Sequence, residues 1–306
     1  MSQVTEGQKG SFGSVLILGA GAIGSFYGSQ LSRGAEVTLV GKEAHVEAIN
    51  RQGLIVSGEV EGTYRLRAAT ELIGIGEEAL LILTTKAHDT EGAMMGIRDL
   101  LRPDTTILVL QNGLGNEEMV RSIVAEEVEV LRGLSSNGVE FTEPGMINVT
   151  LVRETVLPGT PTGKRVGRLF EECGLRVRLA EDMEREVWRK LVMNCIINPL
   201  TAVFRVRNSE IVADSLRYVR ERIADECIEV AGTEGVSLEP SLVEEVTKAA
   251  ASYSNLSSMC QDILKGRRTE IDFLNGRIVE LGRRHGVPTP VNTTLTSLIK
   301  FMEGRK

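Results

Sequence analysis

The pattern Gly19-Ala20-Gly21-Ala22-Ile23-Gly24 constrains this chain more than any other feature, because it leaves a short apolar run, Ser14–Leu18, and enters helical spacing through Phe26, Tyr27 and Leu31. A strand that passes into a helix through three glycines so spaced predicts a β-α-β unit with a dinucleotide site at its turn. The first glycine permits the tight turn, the second lets backbone approach a pyrophosphate, and the third brings helix against strand. The helix N-terminus adds N–H donors and partial positive charge. Gly34 ends the helical segment, and Glu36–Val40 reads as the second strand, parallel to the first through a right-handed crossover.

Two further apolar runs, Leu80–Leu83 and Thr106–Leu110, are continuous rather than alternating, as buried parallel strands are. Gly53–Ser57 and Val60–Ala68 read as a hairpin around Gly58, inserted at the sheet edge. Strand-like stretches recur at Val128–Leu131, Gly138–Phe141, Met146–Val152 and Val177–Leu179, with pairing that local pattern does not reveal. After about Ala180 the period becomes helical, in Ser215–Glu234, Ser241–Ser252 and Ile271–Arg284, with Gly235 and Gly286 as stops. The expected fold class is α/β: a Rossmann-type N-terminal domain over 14–182 and a mostly helical C-terminal domain over 183–306, preceded by a polar, flexible lead-in at 1–13.

Composition narrows the function. At 306 residues two domains are the default, and a formal charge of -7 gives no general attraction to nucleic acid or anionic lipid. No apolar run approaches the roughly 20 residues that span a bilayer, and the lead-in has no signal-like stretch, so a cytoplasmic enzyme is expected. Cys173, Cys195, Cys227 and Cys260 lie far apart without a C-x-x-C pair, and only three histidines are present, which speaks for reduced buried thiols and against a metal site.

Cofactor choice is legible after the second strand. Sites that prefer NAD usually carry an acidic residue there for the ribose hydroxyls, whereas this chain reads Val40-Gly41-Lys42. An ammonium attracts a 2′-phosphate that a carboxylate would repel, so NADPH is favoured, although Glu43 stands next to it and a solvated surface lysine is the bland alternative. Lys86, in Thr84-Thr85-Lys86, and Asn112, in Gln111-Asn112-Gly113, follow apolar strands at their carboxyl ends, where ligands of open α/β sheets bind. Asn-Gly is also a common turn dipeptide, and both readings of Asn112 stay open.

In Trp188–Thr201, Lys190, Asn194 and Asn198 recur at i, i+4 and i+8, forming one polar stripe on an otherwise apolar helix. Such a stripe is either a site or a satisfied polar seam. Pro199 removes a helical hydrogen bond and is expected to kink or end the helix near Asn198.

Together these segments resemble the ketopantoate reductase family. The likeness runs over nearly the whole chain after the lead-in: GAGAIG, TTKA around Lys86, QNGLGN around Asn112, WRKLVMNCIINPLTA, NLSSMCQDI and RRTEIDFLNG. The resemblance implies that Lys190 is the proton donor, that Asn112, Asn194, Asn198 and Ser258 hold the substrate, and that Asn208 and Asn255 line its site. It further implies that Lys86 and Asn112 contact the cofactor, as do Gly19, Ala20, Gly21, Ala22, Ile23, Gly24 and Lys42, and that Glu270 bonds to it from the helical domain. A plainer account competes for two of these, since Ser258-x-x-Gln261 and Thr269-x-x-Asp272 fit helix capping boxes. The chain departs from the family at Ile147–Gly159, where many relatives have a glycine-punctuated strand with a histidine.

The implied activity is NADPH-dependent reduction of a small 2-keto acid, ketopantoate first, without a metal. Lys190 would protonate the developing alkoxide and polarise the carbonyl beforehand. The substrate is the expected partner, with no nucleic acid or membrane, and a homodimer is the candidate assembly. Rivals are a reductase of the same architecture for another 2-keto acid or for joining a keto acid to an amine, and a non-catalytic nicotinamide-binding sensor that would retain the glycine loop but have no need of Lys190.

Overall fold

A computed structural model describes residues 12–304. They divide into two compact units, one taking in the chain up to Gln111 together with Asn116–Glu181, the other Asn112–Gly115 and the chain from Asp182 onward. Of the expected lead-in, 1–11 lie outside the described residues. Phe12 is buried under the Arg165 guanidinium, 4.0 Å from its ring centroid, and the Gly13 N–H donates to the Glu78 carbonyl at 2.9 Å.

The first unit runs β1 (Ser14–Leu18), α1 (Ala22–Leu31), β2 (Val37–Val40), α2 (Glu43–Gln52), β3 (Leu54–Gly58), β4 (Gly62–Tyr64), β5 (Arg67–Ala69), β6 (Ala79–Leu83), α3 (Thr90–Ile97) and β7 (Thr106–Val109). It continues with α4 (Asn116–Ile123), β8 (Glu129–Arg132), β9 (Leu134–Ser135), β10 (Gly138–Glu143), β11 (Met146–Leu151), β12 (Thr155–Pro158), α5 (Pro161–Glu172) and β13 (Val177–Ala180). Its main sheet is all parallel in the order β5-β2-β1-β6-β7-β8, the doubly wound arrangement expected from the glycine turn. Side chains of its central strands alternate between two cores: Val15, Ile17, Leu80, Ile82 and Leu108 enter one, Leu16, Leu18, Leu81, Leu83, Ile107 and Val109 the other. With both faces covered, every position must be apolar, which explains the unbroken runs.

The expected hairpin around Gly58 is corrected in its placement. β3 and β4 do pair antiparallel, but in a separate four-stranded sheet of order β10-β11-β3-β4, and only Arg67–Ala69 joins the edge of the parallel sheet. β11, which holds the first five residues of the segment that departs from the family, is an inner strand of that sheet, and its Ile147 and Val149 are buried in the first unit's core. The third sheet is β13-β12-β9.

The second unit contains α6 (Met183–Phe204), two short 3₁₀ turns at Asn208–Val212 and Asp214–Leu216, α7 (Arg217–Thr233), α8 (Leu242–Ala251), α9 (Ser258–Leu264), a 3₁₀ turn at Ile271–Phe273, α10 (Asn275–His285) and α11 (Pro290–Glu303). Asp182 starts α6 by accepting the Arg185 N–H at 3.0 Å, and Glu184 and Glu186 in the first turn suit the helix dipole. α6 is central: Trp188, Leu191, Val192, Cys195 and Ile196 pack into one core with Ile223 and Cys227 of α7, Ile278 and Leu281 of α10, and Leu295 and Ile299 of α11. The helical run expected over Ile271–Arg284 is broken at Leu274, whose φ of -110° and ψ of -108° separate the 3₁₀ turn from α10, and Gly286 closes α10 at φ +73°. All four cysteines are free and buried, and among the described residues no helix is long and apolar enough to cross a membrane.

Candidate active site

In the first unit the sheet order reverses between β1 and β6, and the loops leaving these two strands meet there. Gly19 has φ +111°, and a Cβ on it would lie 2.4 Å from the Thr85 nitrogen, so the turn admits only glycine. Gly24 is excluded from growth by the Gly19 carbonyl at 2.2 Å and the Thr84 hydroxyl at 2.6 Å, whereas a Cβ on Gly21 would meet nothing within 4 Å. The three glycines thus have the three roles a dinucleotide turn demands: tight turn, open approach, close helix packing. Ala20, Ala22 and Ile23 fill the intervening positions. Gly21 caps α1 without a side-chain bond, and the first turn carries no acidic residue, which leaves N–H donors and positive dipole for an anion.

The turn is braced on both sides. The Gly19 and Ala20 N–H groups donate to the Val40 carbonyl at 3.0 and 2.8 Å, and the Thr84 hydroxyl donates to the Gly19 carbonyl at 2.9 Å. Lys42 is exposed at the start of α2, two residues past β2, in extended backbone. Lys86 is partly buried ahead of the 3₁₀ turn Ala87–Asp89, its carbonyl accepting the Asp89 N–H at 2.9 Å. One residue missed from sequence is Gln111, at the end of β7. Its buried side-chain amide nitrogen lies 2.9 Å from the Thr85 carbonyl and 2.6 Å from the Thr90 hydroxyl, clamping the exit of β6 to that of β7. Its place directly before Asn112 was the available signal.

In the second unit, Lys190, Asn194 and Asn198 all lie on α6, four residues apart, so they share one face. Lys190 and Asn194 are partly buried and Asn198 is buried. The helix does not end near Asn198, as one of the two outcomes expected of Pro199 would have it: α6 runs on to Phe204. Proline at 199 cannot donate to the carbonyl of Cys195 four residues back, and the Asn275 side chain takes that role, its Nδ2 donating to the Cys195 carbonyl at 3.0 Å. Asn198 is therefore carried within a continuous helix.

Asn208 and Asn255 come together. The Asn208 N–H donates to the Asn255 carbonyl at 3.0 Å and its Nδ2 to Asn255 Oδ1 at 3.3 Å, while Asn208 Oδ1 is buried with no protein partner. A buried acceptor left open is costly unless a ligand donor meets it. The capping account of Ser258 is corrected by one residue: Ser257 caps α9, accepting the Cys260 N–H at 3.1 Å, and shares a 2.7 Å hydrogen bond with Thr201 of α6. Ser258 is left exposed at the first position of α9, one residue past that junction. Thr269 does not form the expected box either, since its hydroxyl accepts from Ile271 and donates to Glu303. Glu270 is buried, just before the 3₁₀ turn and not inside a helix. Asn112 is partly buried, and the loop it begins is tied within the second unit by the Leu114 N–H donating to the Phe273 carbonyl at 3.1 Å.

Chemically, the first unit offers a glycine turn and a lysine suited to a phosphorylated dinucleotide, and the second an ammonium with carboxamides suited to a polar, oxygen-rich substrate. Among the described residues no group of three or more His, Cys, Asp or Glu could hold a metal ion. The family model described as ketopantoate reductase PanE/ApbA matches 15–161, and that for its C-terminal part matches 182–303. The 2-dehydropantoate 2-reductase of Pyrococcus horikoshii is 34% identical over 297 residues, covering 94% of this chain and 97% of that protein. The crystal structure of a PanE/ApbA family ketopantoate reductase from Ralstonia eutropha is 30% identical, covers 95% of this chain and 98% of its own, and superposes with a TM-score of 0.88. The ternary structure of D-mandelate dehydrogenase with NADH and anilino(oxo)acetate, 28% identical with the same coverage, gives 0.89. With both family models matched and a relative aligned end to end at this identity, the chain belongs to the ketopantoate reductase PanE/ApbA family.

Proposed function

We propose that the chain reduces 2-dehydropantoate (ketopantoate) to pantoate with NADPH, in the pantothenate pathway, using Lys190 as proton donor. The observation that carries this reading is the Lys190, Asn194, Asn198 face of α6 in a member of that family. The Gly19–Gly24 turn fits the cofactor, since Gly21 is open where a pyrophosphate would approach and α1 presents an uncapped N-terminus. Lys42, Lys86, Asn112 and Glu270 complete the proposed cofactor contacts. NADPH, when bound, supplies the hydride to the carbonyl carbon.

The chain's own residues handle the oxygen atoms. The Lys190 ammonium hydrogen-bonds to the substrate carbonyl, drawing electron density to oxygen, then gives up one proton as the alkoxide forms and regains it from solvent. Asn112, Asn194, Asn198, Asn208 and Asn255 hold the remaining oxygens by carboxamide hydrogen bonds, and the open Asn208 Oδ1 suits a substrate hydroxyl as donor. Ser258 meets the substrate carboxylate with the N–H groups of the first turn of α9. The NADP-binding domain is assigned to 14–182 and the substrate and catalytic domain to 183–306. A cytoplasmic site of action is supported by the four free, buried thiols. A homodimer is supported by exposed apolar side chains such as Leu298 and Phe301, and light scattering tests it.

A second reading, another 2-keto acid on the same scaffold, is favoured by the likeness to D-mandelate dehydrogenase. A purified-enzyme panel of ketopantoate, pyruvate and 2-ketoisovalerate with NADPH decides: a kcat/KM highest for ketopantoate supports the proposal, and a clear preference for another acid replaces it. Cofactor binding without oxidation across the panel would leave a sensor.

A further inference from the structure

His45 is the third residue of α2, and it is buried in a chain with two other histidines. Its Nδ1 accepts the Gly145 N–H at 2.8 Å, which fixes the remaining proton on Nε2. Nε2 lies 3.0 Å from the hydroxyl of Ser25, itself buried in the first turn of α1, where the Ser25 N–H donates to the Gly21 carbonyl at 2.9 Å. The His45 N–H donates to the Lys42 carbonyl at 3.0 Å. One neutral imidazole therefore joins the first turn of α1, the first turn of α2 and the turn between β10 and β11. Burial holds the ring's pKa below its ordinary value, which keeps it neutral, and the Phe141 ring packs against it with centroids 4.9 Å apart. The hairpin turn is close-set as well: a Cβ on Gly145 would lie 2.9 Å from Ala48 Cβ.

The Gly19–Gly24 turn is where a pyrophosphate would sit, and Lys42 is where a 2′-phosphate would. These two phosphate groups are tethered through one ribose and so have a limited span, and the distance between the helix starts must stay within that span for both to be met together. We propose that His45 is a positioning residue for cofactor selectivity, a strut from Ser25 that sets the first turn of α2, and with it Lys42, at the spacing an NADP-type nucleotide requires. This rests on the reading of Lys42 given above. An ordinary core histidine would support both nicotinamide cofactors equally, whereas a strut to Lys42 acts only on the cofactor that carries the extra phosphate.

The test is calorimetric titration of NADP⁺ and NAD⁺ into the full chain and into Ser25→Ala, His45→Phe, Lys42→Ala and the two double variants with Lys42→Ala. Loss of a partly screened ammonium–phosphate contact is worth about fivefold in affinity. The expected result is that Ser25→Ala and His45→Phe each weaken NADP⁺ by about that factor, leave NAD⁺ within about twofold, and add no further selectivity loss once Lys42 is alanine. If His45→Phe fails to fold, Ser25→Ala, a smaller change, carries the test. Equal losses for both cofactors, no change in their ratio, or a full further loss in the Lys42→Ala background overturns the strut. A Lys42→Ala protein with the parent's ratio overturns the Lys42 reading itself, and the strut with it, whereas a changed ratio there with none in the Ser25 and His45 variants removes the strut alone.

Discussion

Pro199 sits inside the helix that carries the Lys190, Asn194 and Asn198 stripe, and the cost of that placement can be measured. Asn275 is fully buried, and its Nδ2 donates to the Cys195 carbonyl at 3.0 Å and to Asn292 Oδ1 at 2.8 Å. Asn275→Ala removes the donor from both acceptors, and a buried acceptor without its donor costs about 1–3 kcal/mol. Against this, the Asn275 Oδ1, itself buried and without a partner, disappears with the side chain. The net expectation is about 2–3 kcal/mol of lost stability, equivalent to roughly 1 M in a urea midpoint for a unit of this size. The protein has one tryptophan, Trp188, buried on α6 about two turns before Cys195, so its fluorescence follows this unit during urea unfolding. The decisive control is Pro199→Ala, which restores an N–H that can reach the Cys195 carbonyl within the helix. In the double variant the loss should shrink by about 1 kcal/mol or more relative to additivity. A loss below about 0.5 kcal/mol for Asn275→Ala, or strict additivity with Pro199→Ala, would refute this account of the proline.

Further outcomes follow from the sites. Lys42→Asp should weaken NADPH by about 1–3 kcal/mol more than NADH, because attraction to the 2′-phosphate becomes repulsion that solvent partly screens, and equal changes in the two dissociation constants would remove the assignment. Glu270→Ala should raise the NADPH dissociation constant with the melting temperature little changed; a collapse in stability with unchanged affinity would make Glu270 a structural carboxylate. His45, with its pKa lowered by burial from 6.5, contributes stability that is fully present above that unfolded-state value and is lost as pH falls below it toward the folded-state value. Thermal melts should show the parent losing stability below about pH 6.5 more steeply than His45→Gln, and parallel curves would count against a buried neutral ring.

Local pattern made the parallel sheet and the nucleotide turn legible because both are dictated within a few residues: unbroken apolar strands for a sheet covered on two faces, and glycines wherever a Cβ would strike Thr84 or Thr85. What remained hidden depends on partners far along the chain. β3 pairs with β11 across some ninety residues, as in Val56 with Ile147, and no periodicity announces that. Pro199 reads as a helix breaker until Asn275 is seen to replace its missing donor. Ser257 and Ser258 are adjacent and chemically equal as caps, and the distant partner of Ser257, the Thr201 hydroxyl on α6, is not visible from their local pattern. The stripe on α6 was visible from its spacing, whereas Gln111 and His45 act through bonds that link separate elements.

The central claim is that Lys190 delivers the proton in ketopantoate reduction, and single-turnover kinetics of Lys190→Met test it most directly. Methionine keeps much of the aliphatic stem and removes the ammonium, so folding and NADPH binding should be close to the parent's. Hydride transfer from bound NADPH to ketopantoate should slow by at least about a hundredfold, the lower end of general-acid assistance with lost carbonyl polarisation added. Measuring the transfer step itself prevents slow product release from masking the change. A folded, NADPH-binding Lys190→Met protein that transfers hydride to ketopantoate at the parent rate would contradict the account and leave Lys190 as a polar seam residue of α6.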